Sequence, residues 1–194
     1  GVDSRLRVYG WTEHMERFGT PPDFFTAGGM AAGLAIAEGI KRAGGADDTE
    51  ALVVEMGARG VGHIAQLCTL ASPTVGVVTR VAAVHTETFG TLEEVAAAKG
   101  ELVEALPGGG YAILNAGDPY VAAMASRTSA ESVTFGAGGD VRAESAALDD
   151  ELRPSFRVVS PWGSAPVRLE VRGEHMIDNA LAAGIGRRLD GWAN

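Results

Sequence analysis

The sequence is poor in cysteine, in basic residues and in long apolar runs, and each shortage excludes a class of protein. Cys68 is the single cysteine among 194 residues, so no internal disulfide can form and a reducing compartment is expected. Lys and Arg number 16 against 25 Asp and Glu, and no basic cluster offers a nucleic-acid groove. No apolar run approaches the roughly 18 residues of a membrane span, and no signal-peptide pattern opens the sequence. We therefore expect a cytoplasmic protein that binds neither nucleic acid nor membrane.

The residues that are present indicate an ordinary globular protein. Hydrophobic residues make up 46% of the chain and charged residues 21%, which is typical of a folded domain rather than a disordered one. The length suits one sizeable α/β domain with its own core. Cys68 stands in "HIAQLCTLA", a setting typical of a packed small hydrophobe and not of a nucleophile.

Strand-like apolar runs alternate with helical stretches from Ala51 to Gly139. Strands are predicted in "ALVVEMG", "TVGVVTRVA", "GGGYAILNAGDP" and "ESVTFGAGG", and helices in "GHIAQLCTLAS", "TLEEVAAAKGELVEAL" and "DPYVAAMASRT". This order predicts a mostly parallel sheet with right-handed crossovers and helices on its faces.

The pattern changes after Gly139. "DVRAESAALDD", "RPSFRVVSPWG" and "APVRLEVRG" alternate apolar and polar residues between turn signals, which predicts a small antiparallel β meander. The helix "EHMIDNALAAGIGRRLD" follows it. The predicted fold class is therefore α/β, with a mostly parallel sheet flanked by helices and an added meander.

Residues 1–50 are predicted to be a divergent N-terminal segment preceding the α/β domain of residues 51–194, the whole being effectively one domain. "SRLRVYG" is predicted to form a strand, and "PPDFFTAGGMAAGLAIAEGIKRAGG" a loop followed by an apolar helix. That helix could equally pack against a second copy of the chain or a partner subunit.

Lys99 breaks the amphipathic pattern of its own helix. Over Thr91–Leu106 one apolar stripe is formed by Leu92, Val95, Ala96, Leu102, Val103 and Leu106. The opposite side is predicted to carry Glu93, Glu94, Glu101 and Glu104. Lys99 falls within the apolar stripe, where burial lowers a lysine pKa by disfavouring the ammonium. An isolated lysine could instead extend its ammonium past the helix edge to water.

Several polar residues follow the predicted parallel strands. Glu55 ends the first strand, His85 follows the second, and Asn115 and Asp118 follow the third. Ligands bind outside the carboxyl ends of strands in an open parallel sheet, and the Lys99 helix begins soon after His85. Taken singly, each residue also has a structural interpretation: a cap, a surface histidine or a turn. Their coincidence at one edge favours a binding site.

Four ordered blocks give the sequence a family resemblance. "EMGARGVGHIAQLC", "HTETFGTLEEVAAAKGELVEALP", "AILNAGDPYVAAMA" and "RGEHMIDNALAA" resemble consecutive blocks of the central, ATP-binding domain of the Mur ligases, over about Thr49 to Ala183. The resemblance implies ATP- and magnesium-dependent phosphorylation of a substrate carboxylate, followed by attack of an amine to form an amide.

The resemblance also implies roles for individual residues. Glu55 and His85 would be magnesium ligands, and Lys99 would react with carbon dioxide to form a carbamate that helps to position the metal. Positions near the nucleotide would be occupied by Asn115, Asp118, His175 and Asn179. A carbamate supplies the hard oxygen atoms that magnesium prefers.

The sequence departs from the family pattern in its phosphate loop. Residues 1–50 contain no G-x-x-G-K-[ST], the loop that holds ATP phosphates, and Arg80 to Val84 replace the family's Asn-Val-Gly-Thr-Ala before His85. The first hypothesis is thus a peptide-bond-forming ligase domain, impaired or incomplete alone and lacking the family's N- and C-terminal domains. The second is an inactive pseudoenzyme that binds or scaffolds a partner, and a weaker third is a site for another acidic metabolite.

Overall fold

The computed structural model describes residues 53–58, 60–82 and 91–189. Contacts divide the chain into two compact units, Gly1–Gly57 and Ala58–Asn194, and the described part of the first unit is residues 53–57. The strand and apolar helix expected in residues 1–50, and the segment containing His85, lie outside the described residues and stay predictions.

A three-stranded parallel sheet with helical crossovers forms the first part of the second unit. The elements in chain order are α1 (His63–Ala71), β1 (Val75–Val78), α2 (Leu92–Glu104), β2 (Tyr111–Asn115), α3 (Pro119–Ala123) with a 3-10 turn over Met124–Arg127, and β3 (Glu131–Phe135). The described strands lie in the order β1-β2-β3. The register pairs Val78 with Leu114, and Asn115 with Phe135, so the carboxyl ends of the strands meet at one edge, as predicted.

The antiparallel meander and the last helix are also confirmed. The meander consists of β4 (Arg142–Leu148), β5 (Pro154–Ser160) and β6 (Gly163–Arg168) in the order β4-β5-β6. A bulge interrupts the pairing of β4 with β5 between Glu144 and Ala147. The final helix, α4, runs over Met176–Leu189.

The central strand β2 has a core on each of its faces. Ala112 and Leu114 pack with Val95, Val103 and other α2 residues, whereas Ile113 packs with Phe135, Phe156 and the α4 residues Leu181 and Ile185. Alternate side chains of a strand point to opposite faces. A strand buried on both faces is therefore apolar throughout, as "YAIL" is.

The prediction of a buried strand in "ALVVEMG" is wrong for the residues that the structure describes. Residues 53–58 have no regular secondary structure, and the Val53 side chain is 94% exposed. A short apolar run becomes a strand only where a neighbouring strand completes its hydrogen bonds, and composition does not reveal whether one is at hand.

The helix predicted around Lys99 is confirmed as α2, but one of its two faces was predicted wrongly. Thr91 caps the helix in a reciprocal box with Glu94, each side chain accepting from the other residue's backbone N–H. Val95, Ala96, Val103 and Leu106 are buried as expected. Glu101, however, was placed on the exposed side and is only 7% exposed, because a second face of α2 packs against α1.

None of the helices in the described residues has the length and apolar character needed to cross a membrane.

Candidate functional site

Asn115, at the carboxyl end of β2, has a buried side-chain amide that forms hydrogen bonds to the backbone of two loops. Asn115, 7% exposed, donates from Nδ2 to the carbonyl oxygen of Thr79 at 2.9 Å and accepts at Oδ1 from the backbone N–H of Gly117 at 2.8 Å. Thr79 directly follows β1. The amide therefore joins the ends of two neighbouring strands through backbone contacts.

Asp118 caps α3 and also reaches the segment after β1. Its Oδ1 accepts from the N–H groups of Tyr120 at 3.0 Å and Val121 at 3.2 Å, with Pro119 in the first turn. This confirms the helix-cap interpretation of Asp118. Its second oxygen, Oδ2, accepts from the N–H of Val81 at 2.8 Å.

Lys99 is half-buried, and its ammonium is directed at the same segment. Nζ donates to the carbonyl oxygen of Arg80 at 2.5 Å. Burial lowers the pKa of the Lys99 ammonium, and the negative charge of Asp118 partly opposes that shift. The amine is thus held close to the sheet edge, where the neutral form is more accessible than for a lysine in water.

Three predicted site residues consequently converge on three consecutive backbone residues. Asn115 binds Thr79, Lys99 binds Arg80 and Asp118 binds Val81. These backbone groups lie just before residues 83–90, which include His85 and fall outside the described residues. The side chains of Lys99, Asn115 and Asp118 therefore contact one backbone segment.

The loop after β3 closes tightly on Asn115. Gly136 has a φ of 86°, a conformation that L-residues with side chains rarely adopt. A Cβ at this position would lie 2.7 Å from Oδ1 of Asn115 and 3.5 Å from Oδ1 of Asp178. Asp178, in the first turn of α4, therefore borders this edge and was not identified from the sequence.

The two α4-region candidates are at the surface. His175 is exposed in the turn before α4, next to Gly173, and Asn179 is exposed in the first turn of α4. The Asn179 amide contacts the sulfur of Met176 at 3.6 Å. Their proximity to a nucleotide stays a prediction from the resemblance, whereas Asp178 shows that the start of α4 faces the loop after β3.

Glu55 is exposed and lies in a segment without regular structure. Its predicted place at the end of a strand is wrong, for the reason given for residues 53–58. As a metal ligand it stays a prediction, as does His85.

Glu101 is a second charged residue whose contacts could not be identified from the sequence. Its Oε1 accepts from the N–H of Gly62 and its Oε2 accepts from the N–H of Ala65 at 2.9 Å. Burial raises the pKa of the Cys68 thiol on α1, and the nearby Glu101 charge raises it further. The available signal was a pair of small residues one turn before Glu101 on α2, Ala97 and Ala98, because small residues permit close helix packing.

Magnesium can be tested against the donor atoms of the described residues. Among residues 53–58, 60–82 and 91–189 no three His, Cys, Asp or Glu side chains form a group that could hold a metal ion. Lys99 fits as a carbamate ligand because its amine is half-buried and has a lowered pKa. The exposed carboxylate of Glu55 also has the oxygen chemistry that magnesium prefers.

Comparisons with known proteins place the chain in a family. Residues 37–185 match the Mur ligase middle domain. The chain is 44% identical over 137 residues to the UDP-N-acetylmuramoyl-tripeptide–D-alanyl-D-alanine ligase of Mycobacterium tuberculosis (strain ATCC 25618 / H37Rv), covering 70% of this chain and 27% of that enzyme.

Solved structures agree with the sequence match. A crystal structure of MurF from Acinetobacter baumannii superposes with a TM-score of 0.68 at 31% identity, covering 72% of this chain and 31% of that one. MurF ligase from Thermotoga maritima in complex with ADP gives 0.62 at 28% identity, covering 71% and 33%. The chain thus spans about a third or less of the length of these relatives.

Proposed function

Because the chain belongs to the Mur ligase family, as its middle domain, we propose that it is the nucleotide-binding part of an ATP-dependent ligase that joins a carboxylate to an amine. The observation that carries the proposal is the half-buried Lys99, whose lowered pKa and fixed position favour a carbamate. The 44% identity to a D-alanyl-D-alanine-adding ligase supports a peptidoglycan-type substrate for the complete protein.

The proposed carbamate forms in one balanced step. The neutral Nζ of Lys99 attacks the carbon of carbon dioxide, an N–C bond forms, one C=O π bond becomes a carboxylate, and one N–H proton is released. Only the neutral amine reacts, so the burial that lowers the Lys99 pKa promotes the step. The product keeps one N–H, which can still donate to the Arg80 carbonyl.

In this proposal each side chain of the edge has a separate task. Lys99, as its carbamate, with Glu55 and His85, would hold magnesium. Asn115 and Asp118 keep the segment of residues 79–81 in place, and with His175 and Asn179 would border the nucleotide. When bound, magnesium would neutralise charge on the phosphates during phosphoryl transfer.

Calorimetric titration with magnesium and ADP or ATP tests the proposal. We expect submillimolar binding by the unmodified chain and at least a tenfold loss in Lys99→Met and Glu55→Ala. The chain has only two lysines, Lys41 and Lys99, so Lys41→Met is the matched control. Titration with ¹³C-labelled bicarbonate should give a carbamate NMR signal that Lys99→Met abolishes and Lys41→Met keeps. The absence of any nucleotide binding would overturn the proposal.

A second candidate function is a pseudoenzyme that acts as a binding or scaffolding protein. The observation that favours it is the lack of G-x-x-G-K-[ST] in residues 1–50, since that loop supplies backbone N–H groups and a lysine to ATP phosphates. It predicts no nucleotide affinity, an unmodified Lys99 and association with a second copy or a partner subunit through the apolar residues of the N-terminal segment. Sedimentation of the chain without nucleotide would detect self-association.

A further inference from the structure

Glu101 makes a long-range contact that the proposed chemistry does not use. It lies on α2, two residues after Lys99, and its buried carboxylate accepts from the backbone N–H groups of Gly62 and Ala65. Those groups are 39 and 36 residues earlier in the sequence. A buried charge is costly unless its oxygens are hydrogen-bonded, and here both oxygens are.

The contact replaces a cap that α1 does not have. The N-cap of α1 is Gly62, which has no side chain and a φ of 94°. The first N–H groups of a helix have no partners within the helix, and a carboxylate at this end is favourable because of the helix dipole. The cap of α1 is therefore supplied by another helix, and the start of α1 is tied to α2.

One helix thus holds two separate segments of the chain. Lys99 binds the carbonyl of Arg80, just before the segment with His85, while Glu101 binds the start of α1, the first element after Glu55. Both bonds originate within one turn of α2. A displacement of α1 relative to α2 would break the Glu101 contacts.

We propose that Glu101 is a positioning residue, which fixes α2, the helix that carries Lys99, to the start of α1. The inference rests on the proposed function, in which Lys99 serves the magnesium–nucleotide complex. Residues that orient metal ligands without touching the metal change its affinity by about 10- to 100-fold when they are replaced. Glu101 is such a residue for this site.

The test is Glu101→Gln, with Glu104→Gln as the matched control. Glutamine keeps the size but presents an NH₂ group to one of the two N–H donors, so one hydrogen bond is lost. Glu104 lies on the same helix and is exposed, where it pairs with Arg127. Two quantities are measured: amide exchange at Gly62 and Ala65, and the magnesium concentration that half-saturates ADP binding. If the role of Glu101 were purely structural, Glu101→Gln would lower the thermal stability of the chain. The magnesium midpoint, measured well below the unfolding temperature, would then stay the same.

We expect Glu101→Gln to exchange faster at both amides and to need about tenfold more magnesium, and Glu104→Gln to change neither. If the unmodified chain binds magnesium–ADP and Glu101→Gln has the same midpoint, the inference is overturned while the proposed function stands. If the unmodified chain does not bind, both are overturned. Should Glu101→Gln lose amide protection in β2 and so fail to fold, Glu101→Asp, which keeps the charge but is one methylene shorter, must show the same shift or the inference is wrong.

Discussion

The parallel sheet and the antiparallel meander both use polar side chains to hold loops, but at different depths. At the parallel sheet, Asn115 and Glu101 are each 7% exposed and bind backbone groups of distant segments. In the meander, Arg153 forms ion pairs with Asp149 and Glu151, whose side chains are 33% and 56% exposed. A buried polar group that loses its partner is left unsatisfied, whereas an exposed one returns to water.

The difference between buried and exposed contacts indicates which region of the molecule is expected to carry functional residues. The buried contacts join β1, α1, α2 and β2, and therefore determine the shape of the carboxyl edge, where Lys99 also lies. In the meander, the ion pairs of Arg153 with Asp149 and Glu151 join residues close in sequence. We expect replacements at the edge to cost both stability and nucleotide binding, and replacements in the meander to cost little of either.

The largest effect is expected for Asn115→Ala. The substitution removes the bonds to the Thr79 carbonyl and the Gly117 N–H and leaves a small cavity. We expect a loss of about 2–3 kcal/mol in the free energy of unfolding, measured by urea denaturation. Asn179→Ala, at an exposed asparagine of α4, is the stability control and should lie within about 0.5 kcal/mol of the unmodified chain. Equal losses of unfolding free energy in the two variants would contradict the expected difference between buried and exposed amides.

A smaller effect should appear at low pH from Asp140, which is exposed but belongs to the loop after β3. Its Oδ2 accepts from the hydroxyl of Thr134 at 2.6 Å and from the Thr134 N–H at 3.0 Å, and these bonds lower the pKa of the Asp140 carboxyl. An aspartate with a lowered pKa in the folded state stabilises the fold above its ordinary pKa, and this stability is lost as pH falls through the lowered value.

Asp140→Asn should therefore flatten the acid side of the stability curve. Denaturation at a series of pH values below about 4 should show a smaller decline than in the unmodified chain, by less than about 1 kcal/mol because the group is screened by solvent. Glu131→Gln, an exposed change of charge at the other end of β3, is the control. An unchanged acid limb in Asp140→Asn would mean that the bonds from Thr134 contribute no stability.

The sequence predicted elements well where a strong periodicity coincided with a local stop or start signal. The helix α2 was expected over Thr91–Leu106 and observed over Leu92–Glu104 with Thr91 as its cap, because the cap and the apolar stripe are both local. The end of β2 and the cap by Asp118 were predictable for the same reason. The places of Asn115 and Asp118 followed from the rule that parallel strands end at the same edge. The place of Lys99 was expected because its helix begins soon after His85.

What could not be predicted depends on partners distant in sequence. Glu101 resembled any exposed glutamate until α1 was seen to pack against its face, since one stripe of a helix says nothing about a second neighbour. Val53 and Glu55 belong to the apolar run "ALVVEMG", yet whether a run pairs as a strand is decided by another strand. Asp178 reaches the site only because the loop after β3 approaches the start of α4.

The smallest effect is expected for Arg153→Ala in the meander. Its guanidinium contacts Asp149 at 2.9 Å, Glu151 at 3.1 Å and Glu170 at 3.7 Å, and a count of ion pairs would suggest a large contribution. Asp149 Oδ1, however, keeps accepting from the backbone N–H of residues 151 and 153 after the substitution, so the turn survives. Because partly exposed pairs are screened by water and salt, we expect a loss below about 1 kcal/mol that shrinks further in 0.5 M salt. Urea denaturation at two salt concentrations measures this loss of unfolding free energy. A loss as large as that of Asn115→Ala would show that the ion-pair network of Arg153, and not burial, determines how strongly a polar contact stabilises this fold.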